Sequence, residues 1–382
     1  MRKKYLLEEL VRVAARENNA KRSYLYVNPL QGKHIPASPE SCLMLFSELS
    51  VMLEKRYSKE RLLVIGFAET ATAIGAAAAV GASNAVYYMT TTRENIPDCE
   101  YIFFTEAHSH AAQQKLAVNG LEECLKSTDR IIFADDEITT GNTIMQLVDA
   151  LKNQFPGTAK KFGIVSILNS MTDERLCALE NNGIACDYIC RLPFEYRIDE
   201  IRHRIYNDSK KIEVDNSNNV NIISLERYFD FRTVQQIECI KSGCQAFTEA
   251  ANKHISVSDG DDVLILGTEE FMYPAMLLGN SIEKKYSNVQ VNFHAVTRSP
   301  IMTSSDDDYP LHCRVELDSF YEKYRHTFLY NLRGYDKVIV VTDAYELNSS
   351  AVYKLINALN KYGNENILFF HWNGDSSEKQ LF

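Results

Sequence analysis

The chain of 382 residues lacks several features that would place it in a special class of protein. It contains no run of 18 apolar residues, so the sequence predicts no membrane-spanning helix. Its nine cysteines are scattered and include no CxxC pair. For the closest pairs, Cys186/Cys190 and Cys239/Cys244, a metal or redox role is the alternative to buried thiols. Such cysteine usage predicts a reducing, cytoplasmic environment.

The chain also has fewer basic than acidic residues. The chain has 41 Lys and Arg against 51 Asp and Glu, which gives a formal net charge of -10. Nonspecific binding to nucleic acid depends on cations that neutralise phosphates, so nucleic acid is not an expected partner. With 45% hydrophobic residues, a chain of this length is expected to form two globular domains.

The central feature is the stretch from Arg130 to Thr143. Four apolar residues, Ile131 to Ala134, predict a strand that is buried on both faces of a parallel sheet. Two carboxylates, Asp135 and Asp136, follow at the end of this strand, where open α/β sheets bind their ligands. A loop of small polar residues then leads into a predicted helix. The loop comprises Thr139, Thr140, Gly141, Asn142 and Thr143.

This order of residues predicts a phosphate site beside a site for a diol. The N–H groups and the dipole at a helix start favour a phosphate, and a glycine lets the backbone approach it closely. Each carboxylate can accept a charge-assisted hydrogen bond, worth roughly 1.5–3 kcal/mol, from a vicinal hydroxyl. Together these groups would hold a ribose 5-phosphate. An ordinary strand–turn–helix corner with a solvated acidic pair is the alternative.

A second candidate anion site lies earlier in the chain. Residues Arg61 to Ile65 predict another buried strand, and the turn from Gly66 to Thr72 precedes a helix made almost only of Ala and Gly. A glycine turn before such a helix is typical of an oxyanion site. The next predicted strand is followed by Arg93, whose planar guanidinium suits a pyrophosphate.

Two other segments carry ionisable side chains that could face a substrate. Lys33 and His34 lie in a loop rich in turn residues, where they are either solvated or part of a hood that supplies positive charge. Residues 94–104 make a polar excursion, which Glu106 and His108 follow on one face of an extended segment. A transition-metal site and a solvated segment are alternatives, and a substrate-facing flap with acid–base groups is our prediction.

The second half of the chain repeats the order of the first. The glycine turn, the arginine and the acid recur as Gly267, Arg298 and Asp343 at similar intervals, which predicts an internal duplication. The copy lacks the first acid and the loop glycine, so it has no cradle for a phosphate there. A scaffolding domain in which the arginine forms a structural ion pair is the alternative to a retained anion site. The candidates for that anion site are Gly267, Thr268, Glu269, Arg298 and Ser299.

The stretch Ala-Asp-Asp-Glu-Ile-Thr-Thr-Gly-Asn-Thr, residues 134–143, resembles the signature of type I phosphoribosyltransferases, which use phosphoribosyl pyrophosphate (PRPP). The resemblance implies that Asp135 and Asp136 hold the ribose hydroxyls and act indirectly on Mg²⁺ through Mg·PRPP. It implies that the loop Thr139 to Thr143 holds the 5-phosphate. Two positions depart from the pattern. Glu137 replaces an apolar residue, and Thr139 stands where oxopurine salvage enzymes carry an Asp, which argues against hypoxanthine or guanine as the acceptor.

The same resemblance assigns the glycine turn to the leaving pyrophosphate. It implies that this turn binds pyrophosphate through its backbone, with a strained or cis peptide near Phe67 to Glu69. The residues of the turn that it designates are Gly66, Ala68, Glu69, Thr70 and Ala71.

Thr297-Arg-Ser-Pro300 spells the motif that names the TRSP domain, which follows an orotate-phosphoribosyltransferase-like domain in bacterial tellurite-resistance and stress-response operons. The chain resembles that family over nearly its whole length. We therefore expect an α/β protein with a Rossmann-like parallel-sheet phosphoribosyltransferase domain and a second, degenerate α/β domain. We place the first domain at residues 1–205, a linker at 206–225 and the TRSP domain at 226–382.

The expected activity is Mg²⁺-dependent transfer of phosphoribose from PRPP to a base-like acceptor, with release of pyrophosphate. Arg93, Glu106, His108 and Lys33 are the catalytic candidates. A homodimer and a complex with enzymes from the same operon are both open expectations. A PRPP- or nucleotide-sensing regulator or assembly protein without turnover is the alternative. The acceptor and the role of the TRSP domain stay open.

Overall fold

A computed structural model describes residues 4–17, 22–104, 113–158, 160–193, 195–202, 204–207, 212, 220–373 and 378–380. The strands of this described part, β1 to β18 in chain order, are Arg12–Ala15, Tyr24–Val27, Leu62–Gly66, Ala85–Thr90, Tyr101–Phe103, Lys115–Ala117, Arg130–Ile138, Lys161–Asn169, Ala185–Arg191, Asn221–Leu225, Gln235–Gln236, Asp262–Gly267, Gln290–Ala295, Arg314–Asp318, His326–Tyr330, Lys337–Thr342, Ile367–Trp372 and Glu378–Gln380. Its helices, α1 to α9, are Leu7–Leu10, Pro39–Arg56, Ala71–Gly81, Leu121–Lys126, Asn142–Gln154, Asp173–Asn181, Ile237–Asn252, Tyr273–Lys285 and Ser349–Lys361, and a 3₁₀ helix spans Ile198–Ile201. None of these helices is long and apolar enough to cross a bilayer.

The chain divides into two compact units, each assembled from separate stretches of sequence. The N-sheet unit comprises Leu43–Tyr196 and Tyr228–Gly243, and the C-sheet unit comprises Met1–Cys42, Arg197–Arg227 and Cys244–Phe382. The boundaries expected at residues 205 and 226 therefore do not coincide with the compact units. The first 42 residues belong with the C-sheet, and a segment after residue 226 belongs with the N-sheet.

The N-sheet has the strand order β11-β4-β3-β7-β8-β9. Strands β4, β3, β7, β8 and β9 run parallel to their neighbours, and only the short β11 is antiparallel. From β3 the chain goes first to β4 on one side and later to β7 on the other side. The order of the strands thus reverses at β3, and ligands of open α/β sheets bind at the carboxyl ends of strands at such a point.

Glycines allow the helix after β3 to pack directly on the sheet. A Cβ atom at Gly66 would lie 2.5 Å from the hydroxyl of Tyr88 and 2.8 Å from the carbonyl oxygen of Ala71, and a Cβ at Gly75 would lie 2.9 Å from the Gly66 Cα. Nine of the eleven residues of α3 are buried. A helix made almost only of Ala and Gly thus packs directly on the sheet, which brings the first turn of α3 to the end of β3.

The C-sheet has the order β13-β12-β16-β17-β10-β18. Its strands β13, β12, β16 and β17 repeat the order and the parallel direction of β4, β3, β7 and β8. The next position is filled by β10, which is parallel to β17. Because β10 lies at residues 221–225, part of the predicted linker is a strand of this sheet, with Ile222, Ile223 and Leu225 buried. The apolar pattern of these five residues, within a polar segment, is too short to predict a strand from the sequence.

The outer edges of the two sheets are built alike. In the N-sheet unit, Gln235 pairs antiparallel with Tyr88 of β4, and helix α7 begins two residues later. In the C-sheet unit, Ala37 pairs antiparallel with Phe293 of β13, and helix α2 begins two residues later. The corresponding piece of each half is therefore paired with the sheet of the other half.

Candidate active site

Asp135 and Asp136 lie in the last part of β7, after the buried residues Ile131 to Ala134, and both are partly buried. The Asp136 N–H donates to Oδ1 of Asp135 at 2.9 Å. Burial, and then the neighbouring Asp136 carboxylate, raise the pKa of Asp135 well above its ordinary value. Within the described ranges no Lys, Arg or His pairs with Asp135. Such a carboxylate is suited to a ligand that brings hydroxyl donors or a cation.

The Thr/Gly loop follows β7 and leads into α5. Gly141 has a φ of 70°, a left-handed conformation that glycine adopts at little cost, and its carbonyl accepts a hydrogen bond from the Met145 N–H at 3.0 Å. Thr139, Thr140 and Asn142 are exposed. The loop therefore presents hydroxyl groups at the first turn of α5, where helix N–H groups lack internal acceptors.

The departure at Glu137 has a structural explanation. Its carboxylate is partly buried and accepts a hydrogen bond from the Ser170 hydroxyl at 3.1 Å. Ser170, which directly follows the neighbouring strand β8, thus holds the carboxylate of Glu137 in place.

Arg175 lies against the Thr/Gly loop, although no sequence pattern points to it. Its Nε donates to the carbonyl oxygen of Thr140 at 2.8 Å, and its Nη2 donates to Oδ1 of Asn142 at 2.9 Å. In the part of the chain that the structure describes, no carboxylate pairs with Arg175. The signal that could have found it is topological. Helices α5 and α6 follow adjacent parallel strands, so their first turns meet at one edge of the sheet.

The turn after β3 reaches the same edge between two other strand ends. The Phe67 N–H donates to the carbonyl oxygen of Ala134 in β7 at 3.0 Å, and the Thr91 N–H donates to that of Gly66 at 2.9 Å. The peptide bond between Ala68 and Glu69 is cis, inside the span for which a strained or cis peptide is expected.

Two of the turn residues predicted to bind pyrophosphate through the backbone have amides that are already used. The Ala68 N–H donates to the Thr91 hydroxyl at 2.9 Å, and the Ala71 N–H donates to the Phe67 carbonyl oxygen at 3.0 Å. Each of these two amides thus has an internal acceptor, which the prediction of pyrophosphate donors did not include. Glu69 and Thr70, which are partly exposed, form the part of the turn that a ligand can reach.

Arg93 follows β4 and is partly buried. Its neighbour Thr92 forms an antiparallel bridge with Lys115 of β6, with N···O distances of 2.8 and 3.0 Å. The Lys115 ammonium lies 4.4 Å from the centre of the Tyr101 ring. The backbone next to Arg93 is thus held between the end of β4 and the hairpin β5–β6. Since β4, β3 and β7 are adjacent and parallel, Arg93, the glycine turn and the acidic pair occupy one edge of the sheet.

The predicted flap residues Glu106 and His108 lie outside the described residues. Within those described, no cluster of three or more His, Cys, Asp or Glu side chains is arranged to hold a metal ion.

Lys33 belongs to the C-sheet unit and is 1% exposed. Its ammonium donates to the carbonyl oxygens of Glu269 at 3.0 Å and Val296 at 3.3 Å. His34, also buried, packs edge-on against the Tyr330 ring of the same unit. The structure thus does not bring Lys33 together with Asp135 in one compact unit, and it gives the lysine a structural role that the hood interpretation did not include.

The second candidate anion site carries its own carboxylates. Arg298 pairs with Glu270 at 3.1 Å, and both side chains are buried. Glu269 is fully buried, and its carboxylate accepts hydrogen bonds from the Ser319 hydroxyl at 2.7 Å and from Arg325 at 3.1 Å. These contacts correspond to the alternative in which Arg298 forms a structural ion pair. The other predicted residues, Gly267, Thr268 and Ser299, lie at the same strand ends.

Asp343 follows β16 at the position that Asp136 occupies in β7, and Thr342 stands in place of Asp135. The Asp343 carboxylate accepts hydrogen bonds from the Tyr321 hydroxyl at 2.6 Å and from Arg227 at 3.2 Å. Ser319, Tyr321 and Arg325 all come from the connection between β14 and β15. This connection therefore fills the edge of the C-sheet that corresponds to the candidate active site.

Comparison with protein families also divides the chain into two parts. Residues 10–192 match the family model described as phosphoribosyl transferase, and residues 233–359 match that of the TRSP domain that lies C-terminal to it. The chain belongs to the phosphoribosyltransferase family that carries a C-terminal TRSP domain. The candidate site at β3, β4 and β7 lies wholly within the first match. A search of curated proteins found no match.

Solved structures similar to part of this chain include adenine phosphoribosyltransferases from three organisms. The Giardia lamblia enzyme complexed with 9-deazaadenine is 9% identical, with a TM-score of 0.35, over 49% of this chain and 96% of that chain. The Leishmania tarentolae enzyme is 16% identical, with a TM-score of 0.36, over 50% and 88%. The Trypanosoma brucei enzyme in complex with AMP, pyrophosphate and ribose-5-phosphate is 15% identical, with a TM-score of 0.37, over 52% and 85%.

Proposed function

We propose that the N-sheet unit transfers phosphoribose from PRPP to a base-like acceptor and releases pyrophosphate. One observation carries the proposal. At the point where the strand order reverses lies Asp135, a carboxylate with no cation partner among the described residues. It lies beside Asp136 and ahead of a loop of exposed hydroxyl groups at a helix start. A ribose 5-phosphate offers the hydroxyl donors and the phosphate that these two features bind.

Each part of PRPP has a proposed partner. Asp135 and Asp136 accept hydrogen bonds from the ribose hydroxyls. The Thr139–Thr143 loop binds the 5-phosphate with the guanidinium of Arg175 beside it. Glu69 and Thr70 of the glycine turn, together with Arg93, face the pyrophosphate. The departing group gains negative charge as the glycosidic bond breaks, and a fixed guanidinium at that place stabilises the transition state more than the ground state.

The acidic pair also fits Mg²⁺ as the cofactor. Two adjacent carboxylates make this strand end negative, and the raised pKa of Asp135 reflects burial and repulsion that a nearby divalent cation would relieve. Asp135 and Asp136 would hold the metal indirectly, through the Mg·PRPP complex. When bound, the ion would neutralise charge on the pyrophosphate.

The acceptor is proposed only as a base-like molecule. Thr139 in place of the acid of oxopurine salvage enzymes disfavours hypoxanthine and guanine. On sequence grounds we retain Glu106 and His108 as acid–base candidates. We also retain the stress-response setting, with a nucleoside-like product, as part of the proposal.

The experiment is to incubate the full chain with PRPP, Mg²⁺ and a panel of nucleobases and related heterocycles while pyrophosphate is measured. Base-dependent release, lost in the Asp136→Asn variant, is the expected result. Tight binding of Mg·PRPP without release for any base would favour a sensor instead. Failure to bind Mg·PRPP at all would contradict both functions.

A further inference from the structure

The segment Tyr228–Gln236 lies beyond the phosphoribosyl transferase match and runs into the TRSP match, which begins at residue 233. It nevertheless belongs to the N-sheet unit. We refer to these nine residues as the brace segment. A segment that reaches into the TRSP match therefore lies at the sheet of the phosphoribosyl transferase match.

The backbone of the brace segment pairs with β4, the strand that precedes Arg93. Gln235 and Gln236 pair antiparallel with β4. Nearer the carboxyl end of β4, the carbonyl oxygen of Phe231 accepts hydrogen bonds from the Thr90 N–H at 2.7 Å and from the Thr90 hydroxyl at 3.3 Å. Thr90 is the last residue of β4, three positions before Arg93. The direction in which the chain leaves the sheet toward Arg93 is therefore fixed by the brace segment.

The turn that presents Phe231 is itself rigidly held. Asp230 Oδ1 accepts hydrogen bonds from the Arg232 N–H at 2.8 Å and from its Nη1 at 3.2 Å. Both side chains are almost fully buried. The Gln235 side chain donates to the Asp230 carbonyl oxygen at 3.1 Å. A buried, hydrogen-bonded ion pair inside one turn restricts its conformation, so the position of the Phe231 carbonyl is well defined.

The Phe231 ring connects the brace segment to the glycine turn as well. It packs edge-on against Tyr88, with ring centres 5.7 Å apart. The Tyr88 hydroxyl donates to the carbonyl oxygen of Thr72 in the first turn of α3 at 2.6 Å, and it occupies the space that a side chain at Gly66 would need. Through its carbonyl contact with Thr90 and its ring contact with Tyr88, Phe231 thus supports both loops that are proposed to face pyrophosphate.

We propose that the brace segment is a positioning element of the PRPP site, with Phe231 as its main positioning residue. It fixes Arg93 and the glycine turn, and therefore acts on the pyrophosphate half of PRPP. The Thr/Gly loop, which follows β7 on the other side of β3, is outside its reach. The proposal rests on the proposed function, because it assumes that PRPP is the ligand.

The test measures the dissociation constants of Mg·PRPP and of ribose 5-phosphate for the full chain and its variants by calorimetry. Phe231→Ala should weaken Mg·PRPP binding roughly tenfold, well short of the hundredfold that a misplacement of about 1 Å can cost. Ribose 5-phosphate, which lacks the pyrophosphate, should bind as in the wild type. Phe231→Leu, which keeps an apolar side chain against Tyr88, should recover most of the affinity.

Gln236→Ala is the matched control, because its side chain is exposed and its backbone pairing with β4 does not depend on the side chain. Unchanged Mg·PRPP affinity in Phe231→Ala would overturn the proposal, as would equal weakening of both ligands, which indicates a general loosening of the unit. If Phe231→Ala does not fold, the same comparison in Phe231→Leu decides. A small loss of Mg·PRPP affinity with unchanged ribose 5-phosphate affinity is expected, and no loss for either ligand, or an equal loss for both, would overturn the proposal. A wild-type chain that binds neither ligand would instead contradict the proposed function.

Discussion

Asp136 and Asp343 occupy equivalent places at the ends of β7 and β16, but their surroundings differ. Beside Asp136 lies Asp135, which has no cation partner in the described part of the chain and whose pKa is raised by burial and by Asp136. Beside Asp343 lies Thr342, and the acid itself is held by Arg227 and Tyr321. The N-sheet keeps an acidic pair whose charge a ligand can use, whereas the C-sheet neutralises its acid within the protein.

The arginines after β4 and β13 extend the comparison. Arg298 is paired with Glu270, and the connection between β14 and β15 places Ser319, Tyr321 and Arg325 on the strand ends of the C-sheet. The arginine and acid at the strand ends of the N-sheet are proposed to bind a ligand, whereas their counterparts in the C-sheet form ion pairs and hydrogen bonds within the protein. The same topology can therefore support a binding site or a structural core, and the local charge balance distinguishes them.

The largest expected effect follows from removing the acid of the C-sheet, whose charge is neutralised within the protein. Asp343→Ala removes the carboxylate that pairs with the largely buried Arg227 and one of the acceptors of the Tyr321 hydroxyl, which also hydrogen-bonds with Thr268. We expect the free energy of unfolding to fall by about 3 kcal/mol, as is usual when one member of a buried ion pair is removed. Chemical denaturation measures it. A loss below about 0.5 kcal/mol, typical of surface substitutions, would contradict a structural role for Asp343.

The next effect concerns the cation at the Thr/Gly loop. Arg175→Ala should weaken Mg·PRPP binding roughly tenfold, the lower end of what a charged hydrogen bond contributes, because the guanidinium is partly exposed. Calorimetry with the folded variant measures this. Lys152→Ala is the matched control, since it removes a cation from the last turn of α5, the helix whose first turn follows the loop. Equal effects of the two substitutions would contradict a specific role for Arg175.

The smallest expected effect is a gain in stability at the acidic pair. Asp135→Asn in the metal-free protein should raise the free energy of unfolding by on the order of 1 kcal/mol at neutral pH, because it removes a carboxylate whose ionised form is penalised by burial and by Asp136. Denaturation with EDTA present measures this gain.

The gain should depend on pH in a defined direction. The raised pKa means that the folded protein holds the Asp135 proton more tightly than the unfolded chain does. Stability of the wild type therefore falls as the pH rises from the unfolded pKa to the folded pKa, and the advantage of the asparagine grows over that range. An advantage that shrinks as the pH rises would contradict this account.

Much of the N-sheet could be predicted from sequence because its signals are local. The apolar run Ile131 to Ala134, the acids after it and the loop glycine are contiguous, and they form the strand, the strand end and the left-handed turn that the pattern indicates. The repeat of the Gly66 and Arg93 landmarks at Gly267 and Arg298 likewise appears as equivalent positions in two sheets of the same order.

The features that sequence reasoning missed depend on contacts between distant residues. Arg175 meets Thr140 only because two helices start at the same sheet edge, and Lys33 is buried against carbonyl groups more than 200 positions away. The exchange of the segments before α2 and α7 leaves no local signal either, since an edge segment followed by a helix reads the same whichever sheet it joins.

The most direct test of the central claim is calorimetric titration of Mg·PRPP into three full-length proteins, the wild type, Asp136→Asn and Asp343→Asn. The two variants remove one charge from equivalent acids. We predict that Asp136→Asn weakens binding roughly tenfold or more, the worth of a charge-assisted hydrogen bond to ribose. Asp343→Asn should bind like the wild type. Unchanged affinity in Asp136→Asn, or an equal loss in both variants, would contradict the assignment of the PRPP site to the N-sheet.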